Sequence, residues 1–188
     1  MIKSYKAESI VLARRNLGEA DKIITVFSKQ VGKKKVLAKG VRRLYSKRAP
    51  HIELFSHCFL MLHPGKTFDI VTEASCLENF SLARQKIERI GFIYIALELT
   101  ERLTAEHVPT PAIFFRLRQF LDTLNHPDTR RQKAAQELNN FKTYMLSELG
   151  FVEHQRTFTD LQVDTEIEQI LEGTIRSAQL LTRIQSLV

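Results

Sequence analysis

Ile23-Ile-Thr-Val-Phe27, Gln30-Val-Gly32 and Lys33-Lys-Lys-Val-Leu-Ala-Lys39 follow one another near the N-terminus. The first run is rich in β-branched and aromatic residues, the second carries a turn glycine, and the third returns to an apolar centre. This is the pattern of two strands joined by a tight connection. Upstream, Ala7–Arg14 contains Ile10, Val11 and Leu12 and is separated from Ile23 by the turn Asn16-Leu-Gly-Glu19. Downstream lies a loop, Gly40 to Pro50, then Ile52–His63, whose period-two alternation nominates Leu54, Cys58, Leu60 and Leu62 for one face. His63-Pro-Gly-Lys66 turns the chain into Phe68–Leu77. Five strands in about 75 residues with short turns predict a small closed barrel of the five-stranded OB kind.

After Asn79 the pattern becomes helical. Ser81 to Ala105 reads as one long helix with Ile87, Ile90, Ile93, Tyr94 and Leu97 inward and a Glu98–Arg102 pair. Thr110-Pro111 opens a second helix with an Ile113, Leu117, Phe120, Leu121 and Leu124 stripe. Asp128 is expected to cap a third, with Ala134, Leu138, Phe141, Met145 and Leu149 inward and Gly150 as its stop. Phe151–Val163 reads as a connector, and Asp164 as the cap of a last amphipathic region running to the C-terminus. The predicted class is α+β: a barrel over residues 1–79 and a helical domain over residues 80–188.

The 188 residues carry 44% hydrophobic and 26% charged side chains with only 7 Gly and 5 Pro, the profile of a folded globular chain. No apolar run approaches the ~20 residues of a membrane span, and no secretory segment is visible, so a cytoplasmic location without membrane contact is expected. The net charge of +7 is unevenly placed. Residues 1–80 hold 15 Lys/Arg against 7 Asp/Glu, and the remainder 13 against 14. Between Asp21 and Glu53 there is no acid, but there are ten basic residues. Such a run suits a polyanion, because neutralising phosphates releases condensed counterions; a merely solvated basic face is the competing reading.

Motifs for catalysis are missing. Gly65-Lys66-Thr67 resembles the end of a phosphate loop, yet Leu60 stands where the first glycine is required, and strand meets strand where a helix should begin. His51, His57 and His63 recur every six residues without metal-ligand spacing, and Cys58 and Cys76 form no paired motif. Neither an enzyme nor a metal or cofactor is expected.

Several motifs occur in an order that resembles the RecO family of recombination mediators: Ala7-Glu-Ser-Ile-Val-Leu12; Leu17-Gly-Glu-Ala-Asp-Lys-Ile-Ile-Thr-Val-Phe27; Gly32 followed by Ala38-Lys-Gly-Val-Arg-Arg43; Ser46-Lys-Arg48; and Leu54-Phe-Ser56. A looser likeness continues through Phe141 to Leu146-Ser-Glu-Leu-Gly-Phe151. Where many RecO proteins present four zinc-binding cysteines, this chain reads Phe151-Val-Glu-His-Gln-Arg-Thr-Phe158, which implies a short, metal-free version. The resemblance implies an OB barrel and a helical domain. It also implies binding of single- and double-stranded DNA, annealing of complementary strands, and contacts with the single-stranded-DNA-binding protein (SSB) and RecR that help to load RecA. A nucleoid-associated location goes with those activities. The residues nominated for DNA are Lys33, Lys34, Lys35, Lys39, Arg42, Arg43, Tyr45, Lys47 and Arg48. Tyr45 is open to two readings, stacking on a base or packing beside the barrel.

For the acidic, phenylalanine-ended SSB tail, the resemblance calls for an apolar pocket and a cation. Arg116, Arg118, Arg130, Arg131 and Phe141 are nominated, with Phe114, Leu117 and Met145 as walls and Lys133 nearby. Related proteins often carry arginine just before the position of Phe141, where this chain has Asn139 and Asn140, which shifts the expected site toward Arg130 and Arg131. Two other functions fit the same composition, an OB-fold RNA-binding protein and a non-catalytic protein adaptor. Competition between matched DNA and RNA strands separates the first of these from DNA binding, and the acid-free basic run weighs against the second.

Overall fold

The computed structural model describes residues 3–153 and 158–179. Five strands, β1 (Tyr5–Leu17), β2 (Asp21–Ser28), β3 (Gly32–Ala38), β4 (His57–His63) and β5 (Asp69–Glu78), close into a barrel in the order β1-β2-β3-β5-β4. The barrel is the expected OB type, with a short 3-10 turn at Ala49–His51 ahead of β4. Alternation selects its interior. Val11, Ile24 and Val26, Val36 and Ala38, Cys58, Leu60 and Leu62, and Val71 form one buried cluster. β1 serves two neighbours, β2 and β4, and the register shift between Val11 and Ala13 lets so long a strand bend around the barrel. Leu54 is only half-buried, because β4 begins at His57; Ile52 and Phe55 take the buried places ahead of it.

The barrel closes at its shortest seam. β3 and β5 run parallel and share only two register pairs, Val36 with Asp69 and Leu37 with Ile70. Lys34 has the parity of Val36 and Ala38, so it reaches the barrel end, where it donates to the Asp69 carboxylate and, at 3.0 Å, to the Tyr5 hydroxyl; Tyr5 also donates to Asp69. One polar cluster therefore ties β1, β3 and β5. Burial alone would raise the Asp69 carboxyl, but hydrogen bonds from Lys34 and Tyr5 and the Lys34 charge hold it below its ordinary 3.8. Burial opposes the Lys34 charge, yet its bonds to Asp69 and Tyr5 lift it above 10.5. The depressed carboxyl contributes stability above its unfolded value, lost as pH falls through the folded one. The raised ammonium contributes below its unfolded value, lost as pH rises through the folded one. The cluster thus acts in full between about pH 4 and pH 10. Asp69→Asn is expected to cost about 1–3 kcal/mol at pH 7, and the gap from wild type should close as acid is added below pH 4. Melting curves across pH check this; a gap that stays constant into acid would show that the cluster carries no charge-dependent stability.

The chain forms two compact units, residues Met1–Asn79 with Thr104–Pro111, and residues Phe80–Leu103 with Ala112–Val188. In the first, Thr104–Pro111 returns onto β3. His107 N–H donates to the Lys33 carbonyl at 2.9 Å, Lys33 Nζ donates to the Thr104 carbonyl, and Lys35 pairs with Glu106 at 3.0 Å. Gly32 sits at φ +70°, and a Cβ there would collide with the Val108 backbone, so this approach demands glycine.

The second unit holds α1 (Ser81–Arg84), α2 (Ile87–Leu103), α3 (Pro111–Asn125), α4 (Arg131–Glu148) and α5 (Asp160–Ile170), with α3 opening at the unit boundary. The single helix expected from Ser81 onward is broken at Gln85–Lys86, and Ile87 is exposed. Asn125 Oδ1 accepts from Leu82 and Ala83 N–H at 3.0 and 3.2 Å and so caps the start of the short α1 from a distant part of the chain. The Glu98–Arg102 pair forms at 3.1 Å. The α3 stripe is buried, as is that of α4 except Leu149, which is half-buried at the helix C-cap, and Phe120 stacks on Phe141 at 5.5 Å. Gly150 (φ +79°) stops α4 as expected, its N–H donating to Ser147 while Phe151 N–H donates to Leu146.

Two expected caps are corrected. Asp128 does not cap α4, which starts later, after Arg130, because the turn before it is held by Arg89. Thr159, not Asp164, caps α5, in a reciprocal capping box with Gln162. Asp164 lies within α5 and pairs with buried Lys142. Residues 154–157, part of the expected connector and of the stretch standing in place of the zinc cysteines, and residues 180–188, the end of the expected last amphipathic region, lie outside the described residues. No helix among the described residues is long and apolar enough to cross a membrane.

Candidate nucleic-acid interface

The basic loop between β3 and β4 is pinned at both ends. Val41 and Ile52 insert into the barrel's apolar interior, so residues 42–51 arch between two buried anchors. The stem is tied by hydrogen bonds that the local sequence supplies. Asp21 Oδ1 accepts from Gly40 N–H at 2.7 Å, Arg42 N–H donates to the Ala20 carbonyl at 2.9 Å, and the Arg42 guanidinium donates to the Gly18 carbonyl at 2.9 Å. Arg43 N–H reaches Gly40 and Ser46 N–H reaches Arg43, folding the tip into successive turns. Arg48 donates to the carbonyls of Lys39 and Val71.

Around this stem lies an open groove of about 780 Å³, lined by Lys39, Arg43, Tyr45, Lys47 and Arg48 together with Asp21. The Asp21 oxygen is already engaged by the Gly40 amide. Lys39, Arg43 and Lys47 are exposed and meet no acid in an ion pair among the described residues. Three cations converging on an open groove without neutralising partners offer docking points for phosphate oxygens, which is the geometry that phosphate recognition requires.

The nine residues nominated for DNA thus divide. Lys39, Arg43, Tyr45, Lys47 and Arg48 line the groove, and Arg42 braces its stem while remaining exposed. Arg48 is partly spent on two backbone carbonyls. Lys33 is buried against Thr104, and Lys34 is committed to Asp69 and Tyr5, so both are structural. Lys35 is exposed but paired with Glu106. Tyr45 is 95% exposed, which removes packing beside the barrel as its role. Sequence reasoning passed over Leu44, exposed at 97% next to it. The available signal was a leucine set between two arginines and a tyrosine in an otherwise polar loop.

In the helical unit, Phe141 is fully buried against Phe120, and Phe114, Leu117 and Met145 are equally buried, so these four are core and offer no surface to a ligand ring. Arg116 pairs with Glu137 at 3.1 Å and Arg118 with Asp122 at 3.7 Å. Arg130 and Arg131 line a different cavity of about 520 Å³ with Lys86, Arg89, Phe92 and Ala134, and Arg131 approaches Glu88 at 3.7 Å. Among the described residues neither the histidines nor the cysteines assemble a site. His57 meets Glu8, His51 accepts from Cys76 N–H, and His63 meets Ser4. Cys58 and Cys76 face each other across β4 and β5, and burial pushes the Cys58 thiol up to about 12.

Comparison with known proteins places the chain. Residues 1–80 match the family model described as the N-terminal part of recombination protein O, and residues 84–152 the model of its C-terminal part. A DNA repair protein RecO of Roseiflexus is 41% identical over 121 residues, covering 64% of this chain and 42% of that protein. Others from Pelotomaculum thermopropionicum and Symbiobacterium thermophilum are 36% and 30% identical, covering 73% and 78% of this chain and 54% and 57% of theirs. The chain spans about half the length of the curated relatives it matches. With both halves of the family pattern present in order, the chain belongs to the RecO family.

Proposed function

We propose that this protein acts in DNA repair and recombination as a non-catalytic mediator: it binds single- and double-stranded DNA through the barrel's basic groove and promotes annealing of complementary strands. The observation that carries this reading is the convergence of Lys39, Arg43 and Lys47 on one groove with no ion-pair partner among the described residues, within the acid-free stretch 22–52 of a chain whose remainder holds 18 Lys/Arg against 21 Asp/Glu. Phosphate contacts at such a groove hold a strand without reading its sequence, and annealing requires that tolerance, since any pair of complements must be accepted.

SSB and RecR are the partners this reading calls for, with RecA loading as the downstream result. For the acidic SSB tail, the cavity that Lys86, Arg130 and Arg131 line together with Glu88 and Asp128 is a better match than the Phe141 region, since it brings cations to an open space. Fluorescence-monitored annealing tests the proposal. The protein should accelerate annealing of bare strands and also of strands coated with SSB, and SSB lacking its terminal tail should abolish the second acceleration only. No acceleration on bare strands would refute the annealing role.

A further inference from the structure

Leu44 and Tyr45 are adjacent, 97% and 95% exposed, and stand at the tip of a loop whose stem is ordered by its own hydrogen bonds. Two adjacent large apolar side chains left nearly wholly in water form an exposed apolar patch, and such patches mark places where a ligand can gain by covering them. Their surroundings define that ligand. Arg42 and Arg43 precede them, Lys47 and Arg48 follow, and the groove beneath is lined by Lys39 and Arg43. An apolar tip ringed by cations fits a molecule that presents flat apolar faces on a polyanionic backbone. An unpaired nucleic-acid strand is such a molecule; a duplex hides its base faces in the stack.

We infer that Leu44 and Tyr45 form a base-reading tip that distinguishes single-stranded from duplex DNA, Tyr45 stacking on one base and Leu44 wedging against its neighbour. The inference rests on the proposed DNA binding by the barrel and goes beyond it, because phosphate contacts alone give the unpaired strand no advantage over the duplex. Once two strands pair, the base faces leave the tip while the phosphates keep their cations. The tip would therefore release paired product from its tighter mode of binding.

The test compares wild type, Tyr45→Phe and the double variant Leu44→Ser/Tyr45→Ser on a single strand carrying 2-aminopurine and on a duplex of equal length. Both positions lie almost wholly in solvent, so the variants are expected to fold. The double variant should lose about ten- to a hundredfold in single-strand affinity, and with it the 2-aminopurine fluorescence change seen with wild type. Its duplex affinity and salt dependence should move less than about twofold, and Tyr45→Phe should behave as wild type. If the double variant binds the single strand as tightly as wild type, or loses strand and duplex equally, the tip does not read bases. If wild type itself binds neither form, DNA binding by the barrel fails, and this inference fails with it.

Discussion

Reversing three charges together, Lys39→Glu/Arg43→Glu/Lys47→Glu, is expected to lower affinity for single-stranded DNA by about a hundredfold or more at moderate salt. Each substitution removes one phosphate contact and adds one repulsion at short range. All three side chains are exposed and line the groove, so the fold should not suffer. The plot of log affinity against log salt should also become shallower by about two. Lys34→Glu is a poor substitute, since it would break the cluster with Asp69 and Tyr5 and confound binding with unfolding. Titrations at four or five salt concentrations decide the matter. Unchanged affinity and slope would remove the groove from the DNA-binding surface.

The second large effect concerns stability. Arg89 is 4% exposed, and its guanidinium donates to four backbone carbonyls: Leu124 at 2.8 Å, His126 at 3.0 Å, Pro127 at 3.1 Å and Thr129 at 2.6 Å. These acceptors lie at the end of α3 and in the turn to α4, the His126 carbonyl also accepting from Thr129 N–H at 3.2 Å, and a cation there meets the negative end of the helix dipole. Arg89→Met keeps the stem and removes every donor. The expected loss is about 3–5 kcal/mol, because several buried carbonyls are left unsatisfied at once. That is a large part of the margin of an ordinary domain. Arg89→Lys should recover only a fraction, as an ammonium lacks the planar fork that spans four acceptors. Denaturant unfolding followed by helical circular dichroism measures the loss; a value under about 1 kcal/mol would mean that water serves these carbonyls equally well.

Arg89 also marks the boundary of what the sequence discloses. Strand positions were legible because alternation is local: Val36 and Ala38, or Cys58, Leu60 and Leu62, announce an inner face by spacing alone. Helix ends were less so. Asn125 caps α1 from more than forty residues away, and Arg89 holds the turn that delays α4 past Asp128; neither partner is visible in a local window. The site shows the same division. The basic run identified the loop, but like charges in sequence look equivalent. Only tertiary structure commits Lys33 to Thr104 and Lys34 to Asp69 while leaving Lys39 and Lys47 to the groove. Parity could have singled out Lys34, which alternates with Val36 and Ala38. The helical unit misled in the opposite sense: an apolar stripe with nearby arginines suggested a pocket at Phe141, where packing left only core.

The central claim is that the strand lies along the loop between Lys39 and Arg48. Photo-crosslinking of wild-type protein to a strand carrying 5-bromouracil, followed by peptide mapping, tests it most directly. The predicted result is crosslinked peptide from the segment 39–48, with Tyr45 as the principal site, suppressed by Lys39→Glu/Arg43→Glu/Lys47→Glu. Crosslinks confined to the helical unit, with none in residues 39–48, would contradict it.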